Sequence, residues 1–98
     1  MTKIVYAPAA LKDLDRLSDF LLESDPAGAL ATGRIIARGI RLLSEHPLIG
    51  RPVEHGLREL IISRGRSGYV GLYRYHVAAD EVMVLALRHQ REIGLARS

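Results

Sequence analysis

The segment Leu57–His89, LRELIISRGRSGYVGLYRYHVAADEVMVLALRH, decides the architecture of this chain. It holds three apolar runs, Leu57–Ser63, Tyr69–Val77 and Glu81–His89, each rich in β-branched or aromatic residues and each of strand length. Between them lie RGRSG (Arg64–Gly68) and AAD (Ala78–Asp80), both too short for a crossover and both suited to turns. Short connections between strands predict an antiparallel meander.

Alternation along the strands assigns faces. Arg58, Leu60, Ile62 and Arg64 share one face of the first run, with Glu59, Ile61 and Ser63 on the other. In the second run Val70, Leu72, Arg74 and His76 oppose Tyr69, Gly71, Tyr73 and Tyr75. In the third, Val82, Val84, Ala86 and Arg88 oppose Met83, Leu85, Leu87 and His89. Every strand has apolar residues on both sides. One side is therefore expected to carry helices and the other to form a shallow surface rimmed by arginine.

Upstream, HPLIGRPVEHG (His46–Gly56) contains two prolines and two glycines and reads as a loop. Before it, Leu30, Ile36, Ile40 and Leu43 form an apolar stripe and Arg34, Arg38 and Arg41 a basic one, predicting a helix from Ala27 to Glu45. Asp25 is placed to cap it and Pro26 to open its first turn. Gly28, Gly33 and Gly39 each lower its propensity by on the order of 1 kcal/mol, which predicts that something, the preceding helix first of all, packs close. That helix is expected from Pro8 to Ser24, with Leu11, Leu14, Leu17 and Leu21 at helical spacing. The short joint makes the two a hairpin. KIVYA (Lys3–Ala7) is a starting or edge strand ended by Pro8, and the tail after Gln90 reads as a short helical turn. The predicted fold class is α+β, in the order β-α-α-β-β-β, with a helical hairpin packed on an antiparallel sheet. One domain, residues 1–98, is expected from the length.

Composition narrows the function classes. Apolar residues make up 48% of the 98 positions, too many for a disordered chain. No cysteine is present, which excludes a disulfide framework and thiolate catalysis and fits a reducing cytoplasm. The N-terminus turns charged too soon for a signal peptide, and no apolar run approaches the ~20 residues of a membrane span. The net charge of +3 resides wholly in residues 51–98, which carry eight arginines, no lysine and five acids. Arginine presents a planar, permanently charged fork suited to carboxylate and phosphate, so the expected partner is anionic.

In this order, HPLIGRPVEHGLRELIIS, GYVGLYRYHV and VLALRHQRE resemble the RelE/ParE toxin superfamily of type II toxin–antitoxin modules. The resemblance is greatest to the ParE-type branch, the plasmid stabilisation proteins. It runs from Ile4 to about Ile93 and rests on Pro47, Gly50, Arg51, Pro52, Leu57-Arg58-Glu59-Leu60, Tyr73-Arg74 and Arg88-His89. It implies a cytoplasmic toxin neutralised by a cognate antitoxin, of the ribbon-helix-helix type, in a toxin–antitoxin hetero-oligomer. The implied target is DNA gyrase. The alternative is a ribosome-dependent mRNA interferase, a metal-free endoribonuclease.

The two targets make different demands on the same residues. RNA cleavage needs a base for the 2′-OH, cations for the phosphate and an acid for the leaving oxygen. His89 supplies an acid or base, Arg58, Arg74 and Arg88 a clamp, and Glu59 or Glu54 a second base. The ribonuclease branch, however, typically has lysines in the middle strands or a tyrosine at the C-terminal end. Here Lys3 and Lys12 are the only lysines and Tyr75 is the last tyrosine. The favoured reading is binding, with Arg58, Arg64, Arg74, Arg88 and Arg91 receiving antitoxin or target. His89 is then a strand-end histidine hydrogen-bonded to backbone or to Glu92, and Arg88 and Glu59 form an ion pair that locks the last strand. Tyr69, Tyr73 and Tyr75 are expected as cross-strand packing. His46, His55, His76 and His89 show no ligand spacing, so neither metal nor cofactor is expected.

Overall fold

A computed structural model describes residues 1–24, 26–63 and 68–89. The chain forms β1 (Lys3–Tyr6), α1 (Pro8–Ser24), α2 (Pro26–Arg41), β2 (Arg51–Pro52), β3 (Arg58–Ser63), β4 (Tyr69–His76) and β5 (Glu81–His89). Both helices open with proline, whose fixed φ suits a first helical position and whose missing N–H would find no intrahelical acceptor there. The Ala7 carbonyl accepts from Leu11 at 3.1 Å, so the first turn starts directly from the strand. The expected cap at Asp25, the turn residues 64–67 and the tail from residue 90 lie outside the described residues.

The sheet order is β1-β5-β4-β3-β2. The β3–β4–β5 meander is antiparallel, as predicted. Two features add to the expected sheet. β1 joins it as a parallel edge strand against β5, with Lys3 opposite Glu81 and Tyr6 opposite Val84. The hairpin of helices is the crossover that makes a parallel return possible. Within the predicted loop, Arg51 and Pro52 form a short outer strand against Glu59 and Arg58. Proline fits there because an edge position asks for no ladder donor on its open side.

Both helices cover one face. α1 lies over β5, and α2 over β3. Between layers sit Ala10 and Leu17 of α1, Ile36 and Ile40 of α2, and Leu60, Tyr69, Tyr73, Val82, Val84 and Leu87 of the sheet, all buried. Leu87 corrects the strict alternation expected for β5. Leu72 pairs with Ala86 and Tyr73 with Val84, so Leu85 is an extra residue in a bulge. The bulge shifts the phase by one, and Leu87 joins Val82 and Val84 in the core while Ala86 leaves them.

α2 is shorter than predicted. It tightens at Leu42–Ser44 into a 3₁₀ turn, where Ser44 donates its hydroxyl to the Arg41 carbonyl at 2.8 Å. The Ser44 carbonyl accepts the Thr2 amide at 2.9 Å, tying the helix end to β1. Only part of the glycine expectation holds. A Cβ on Gly39 would lie 2.7 Å from Ile62 Cγ2, so the close neighbour is β3 and not α1. A Cβ on Gly33 would meet nothing within 4 Å.

Candidate functional site

Among the described residues, no helix covers the second face of the sheet. Ile61, Val70, Leu72 and Met83 lie on it, as alternation away from Leu60, Tyr69, Tyr73 and Val82 requires. Ile61 and Met83 are substantially exposed. Arg74, opposite Met83, stands in solvent on the same face. Arg88, opposite Val70, starts there as well. The result is an apolar centre with guanidinium groups at its margin.

Arg88 is held from the helical layer. Its Nη1 pairs with Asp13 Oδ2 of α1 and donates to the Leu87 carbonyl at 2.9 Å. Asp13 is only 8% exposed. It also accepts the Leu87 backbone N–H at 2.9 Å, beyond the point where β1 stops pairing with β5. The carboxylate thus satisfies an amide that a longer β1 would have taken. Burial pushes the Asp13 carboxyl up, but the Leu87 amide, Arg88 and Arg16 together hold it below the ordinary aspartate value. Charge-assisted bonds of this kind favour the ionised form.

Arg58 points elsewhere. It lies opposite Tyr73 on the helix-bearing face, and its Nη1 donates to the carbonyls of Leu48 at 3.1 Å and Gly50 at 2.8 Å. The Tyr73 hydroxyl donates to the Pro47 carbonyl at 2.8 Å and accepts the Gly50 amide at 2.9 Å. Burial pushes the Tyr73 phenol up, against the opposing pull of the Gly50 amide and Arg58. A Cβ on Gly50 would lie 2.6 Å from the Tyr73 ring and 2.8 Å from the Glu59 carbonyl, so only glycine fits. These bonds fix a loop that presents Leu48 and Ile49, both more than half exposed, beside a shallow depression of about 420 Å³ lined by His46, Pro47, Leu48 and Ile49.

The residues considered for RNA cleavage do not converge. Glu59 lies on the open face and pairs with Arg51 at 2.5 Å, which replaces the expected Arg88–Glu59 pair. Arg58 is on the opposite face, opposite Tyr73, whereas His89 is opposite Tyr69. Those positions are four residues apart along β4, about 13 Å at the usual rise per residue. His89 sets its ring edge-on to Tyr69, with centroids 5.1 Å apart at 88°. Glu54 and His55 occupy an exposed turn in which His55 (φ 62°) and Gly56 (φ 71°) are left-handed. Tyr69 and Tyr73 are buried packing residues, as expected. Arg64, Arg91 and Glu92 lie outside the described residues.

Among the described residues, no three His, Cys, Asp or Glu side chains group as a metal site, and no helix is long and apolar enough to cross a membrane. Sequence reasoning missed Asp13 and the Tyr73 hydroxyl. Asp13 had a legible signal: it falls on the same helical stripe as Ala10, Leu14 and Leu17, where a carboxylate must find partners.

The family model described as the ParE toxin of the type II toxin–antitoxin system parDE matches residues 4–94. The chain belongs to the ParE toxin family. Among its relatives, Toxin RelE3 of Caulobacter vibrioides is 33% identical over 92 residues, covering 94% of this chain and 98% of that protein. Two solved structures carry the same fold. The chromosomal ParDE system from P. aeruginosa matches with a TM-score of 0.74 at 24% identity, over 91% of this ParE-family chain and 96% of that one. The RelBE2 toxin–antitoxin complex from Mycobacterium tuberculosis matches with a TM-score of 0.62 at 27% identity, over 91% and 98%. The α+β class and the superfamily expected from the sequence both hold.

Proposed function

We propose that this ParE-family toxin acts by binding, with DNA gyrase as its target, and that a cognate antitoxin neutralises it in the cytoplasm. One observation carries the choice of binding over cleavage. Arg58, one of the three arginines expected to clamp phosphate, is engaged with loop carbonyls, and its strand position lies about 13 Å along the sheet from that of His89, on the usual strand rise. General acid–base chemistry needs its groups within hydrogen-bond reach of one substrate. A binding surface needs an apolar centre and a charged margin instead, which the open face supplies through Leu72, Met83, Arg74 and Arg88.

The antitoxin reading uses both sides of the sheet. An amphipathic helix of a ribbon-helix-helix antitoxin would enter the groove between hairpin and sheet. Its acidic tail would reach Arg74 and Arg88, with Arg64 and Arg91 assigned to the same contact, in a hetero-oligomer. The solved ParDE and RelBE2 structures are of toxin–antitoxin systems, which supports that partner class.

Purified toxin is expected to inhibit gyrase supercoiling and to leave ribosome-bound mRNA intact. Cleavage of messages at defined codons, with gyrase unaffected, would overturn the proposal. The second reading, an mRNA interferase, draws support from the name of the RelE3 relative. It predicts that His89→Ala abolishes growth arrest, and retained toxicity in that variant removes its best catalytic residue.

A further inference from the structure

The two helices of the hairpin are charged oppositely. By sequence, α2 holds Arg34, Arg38 and Arg41 and no acid. α1 holds Asp13, Asp15, Asp19 and Glu23 against Lys12 and Arg16. On α1, Leu11, Asp15 and Asp19 recur every fourth residue. On α2, Leu30, Arg34 and Arg38 recur at the same interval. Such spacing makes a continuous surface stripe. All six side chains are exposed, with Leu11 at 50% and Leu30 at 70%. The core stripes, Ala10 with Leu17 and Ile36 with Ile40, face the sheet.

These charges are unused among the described residues. Among the described residues, neither Asp15 and Asp19 nor Arg34 and Arg38 has an ion pair or side-chain hydrogen bond, although opposite charges on neighbouring antiparallel helices are able to pair. Each stripe instead sets like charges at i,i+4, which is mildly unfavourable on its own helix. The helix dipole accounts for Arg38 and Arg41 in the last turn of α2. It does not account for Arg34, two turns from the end, or for the acidic stripe and the exposed leucines.

We infer that the helical hairpin is a self-association surface whose occupant is a second copy of this chain, with α1 of one copy lying antiparallel on α2 of the other. One register pairs the charges of both stripes. Asp15 falls opposite Arg38 of the second copy, Asp19 opposite its Arg34, and Leu11 opposite its Leu42, which is also half-exposed. A twofold axis repeats each contact, so the interface is isologous and closes on itself. The contact of Leu11 with Leu42 adds apolar area, and the paired charges give register. Exposed ion pairs are screened by salt, so the association is salt-sensitive. It leaves the open face of the sheet free, because the hairpin covers the other side. The inference does not depend on the choice of toxin target.

The test is sedimentation velocity on the full chain at several concentrations, in low and high salt, with circular dichroism to confirm folding. The wild type is expected to dimerise at low salt and dissociate as salt rises. Arg34→Asp with Arg38→Asp, and separately Asp15→Arg with Asp19→Arg, should each weaken dimerisation by about tenfold or more. An equimolar mixture of the two should restore a dimer, since each then offers the charge the other lacks. If a reversed variant fails to fold, the neutral pairs R34Q/R38Q and D15N/D19N should each give a weaker dimer that salt no longer dissociates. A wild type that stays monomeric, variants that dimerise as it does, or a mixture that remains monomeric would each overturn the inference. So would a monomer that binds duplex DNA through Arg34 and Arg38.

Discussion

Asp13 and Leu87, 74 positions apart, meet at 2.9 Å, carboxylate to backbone amide, and Arg88 closes on the same oxygen. This contact joins α1 to the last strand where β1 has ended. It also decides where one of the arginines of the open face is anchored.

The contact makes the fold acid-labile in a defined window. The Asp13 carboxyl is held below its ordinary value in the folded chain. Its contribution is therefore fully present above the unfolded value of about 3.9 and is lost as pH falls through the lower folded value. Asp13→Asn should flatten the stability profile below pH about 4, measured by urea denaturation across pH. Asp13→Ala should cost about 2 kcal/mol, mostly from the abandoned Leu87 amide, because half-exposed Arg88 is partly screened. An unchanged acid limb in the asparagine variant would show that other carboxylates set it.

Tyr73→Phe tests the loop that presents Leu48 and Ile49. The change leaves the Gly50 amide and the Pro47 carbonyl without their partner. A buried polar group left unpaired costs about 1–3 kcal/mol. Hydrogen exchange at Gly50 should accelerate, with little change at Val82 or Val84 in the core. Gly50→Ala should be worse, since its Cβ would enter both the Tyr73 ring and the Glu59 carbonyl.

Two glycines of α2 should respond with opposite sign. Gly33→Ala adds a methyl into open space and should stabilise by about 0.5–1 kcal/mol through helix propensity. Gly39→Ala drives its Cβ to 2.7 Å from Ile62 Cγ2 and should destabilise despite the same propensity gain. Paired thermal melts decide this, and a common sign would contradict the packing of α2 on β3.

Asp80 closes the turn into β5 with φ 47°, a conformation that aspartate and asparagine tolerate better than alanine. Its carboxylate accepts the hydroxyls of Thr2 at 2.7 Å and Tyr75 at 2.8 Å. Those bonds hold its pKa down, and the Asp80 bond raises that of Tyr75. Its carbonyl takes the Lys3 amide at 3.1 Å. Asp80→Asn should lower the melting temperature less than Asp80→Ala, because asparagine keeps the backbone conformation and one acceptor. An equal fall in both variants would place the effect in the charge alone.

Sequence by itself determined the order of the two helices and the four longer strands, without β2, and most boundaries. Apolar runs rich in β-branched and aromatic residues between short turns marked β3, β4 and β5, helical spacing marked α1 and α2, and prolines at positions 8 and 26 marked the helix starts. These signals are local, because strand and helix periodicity are set by the backbone of the segment itself. Tertiary structure decided what depends on neighbours distant in sequence. It placed β1 parallel beside β5, inserted the bulge at Leu85, turned Arg58 toward the loop carbonyls, and paired Arg88 with Asp13 and Glu59 with Arg51. A single extra residue reverses the face of every side chain after it. A charge takes whichever partner the packed layers bring within reach. Neither choice is written in the spacing of residues along one strand, and so the arginines expected to line one surface are divided between two.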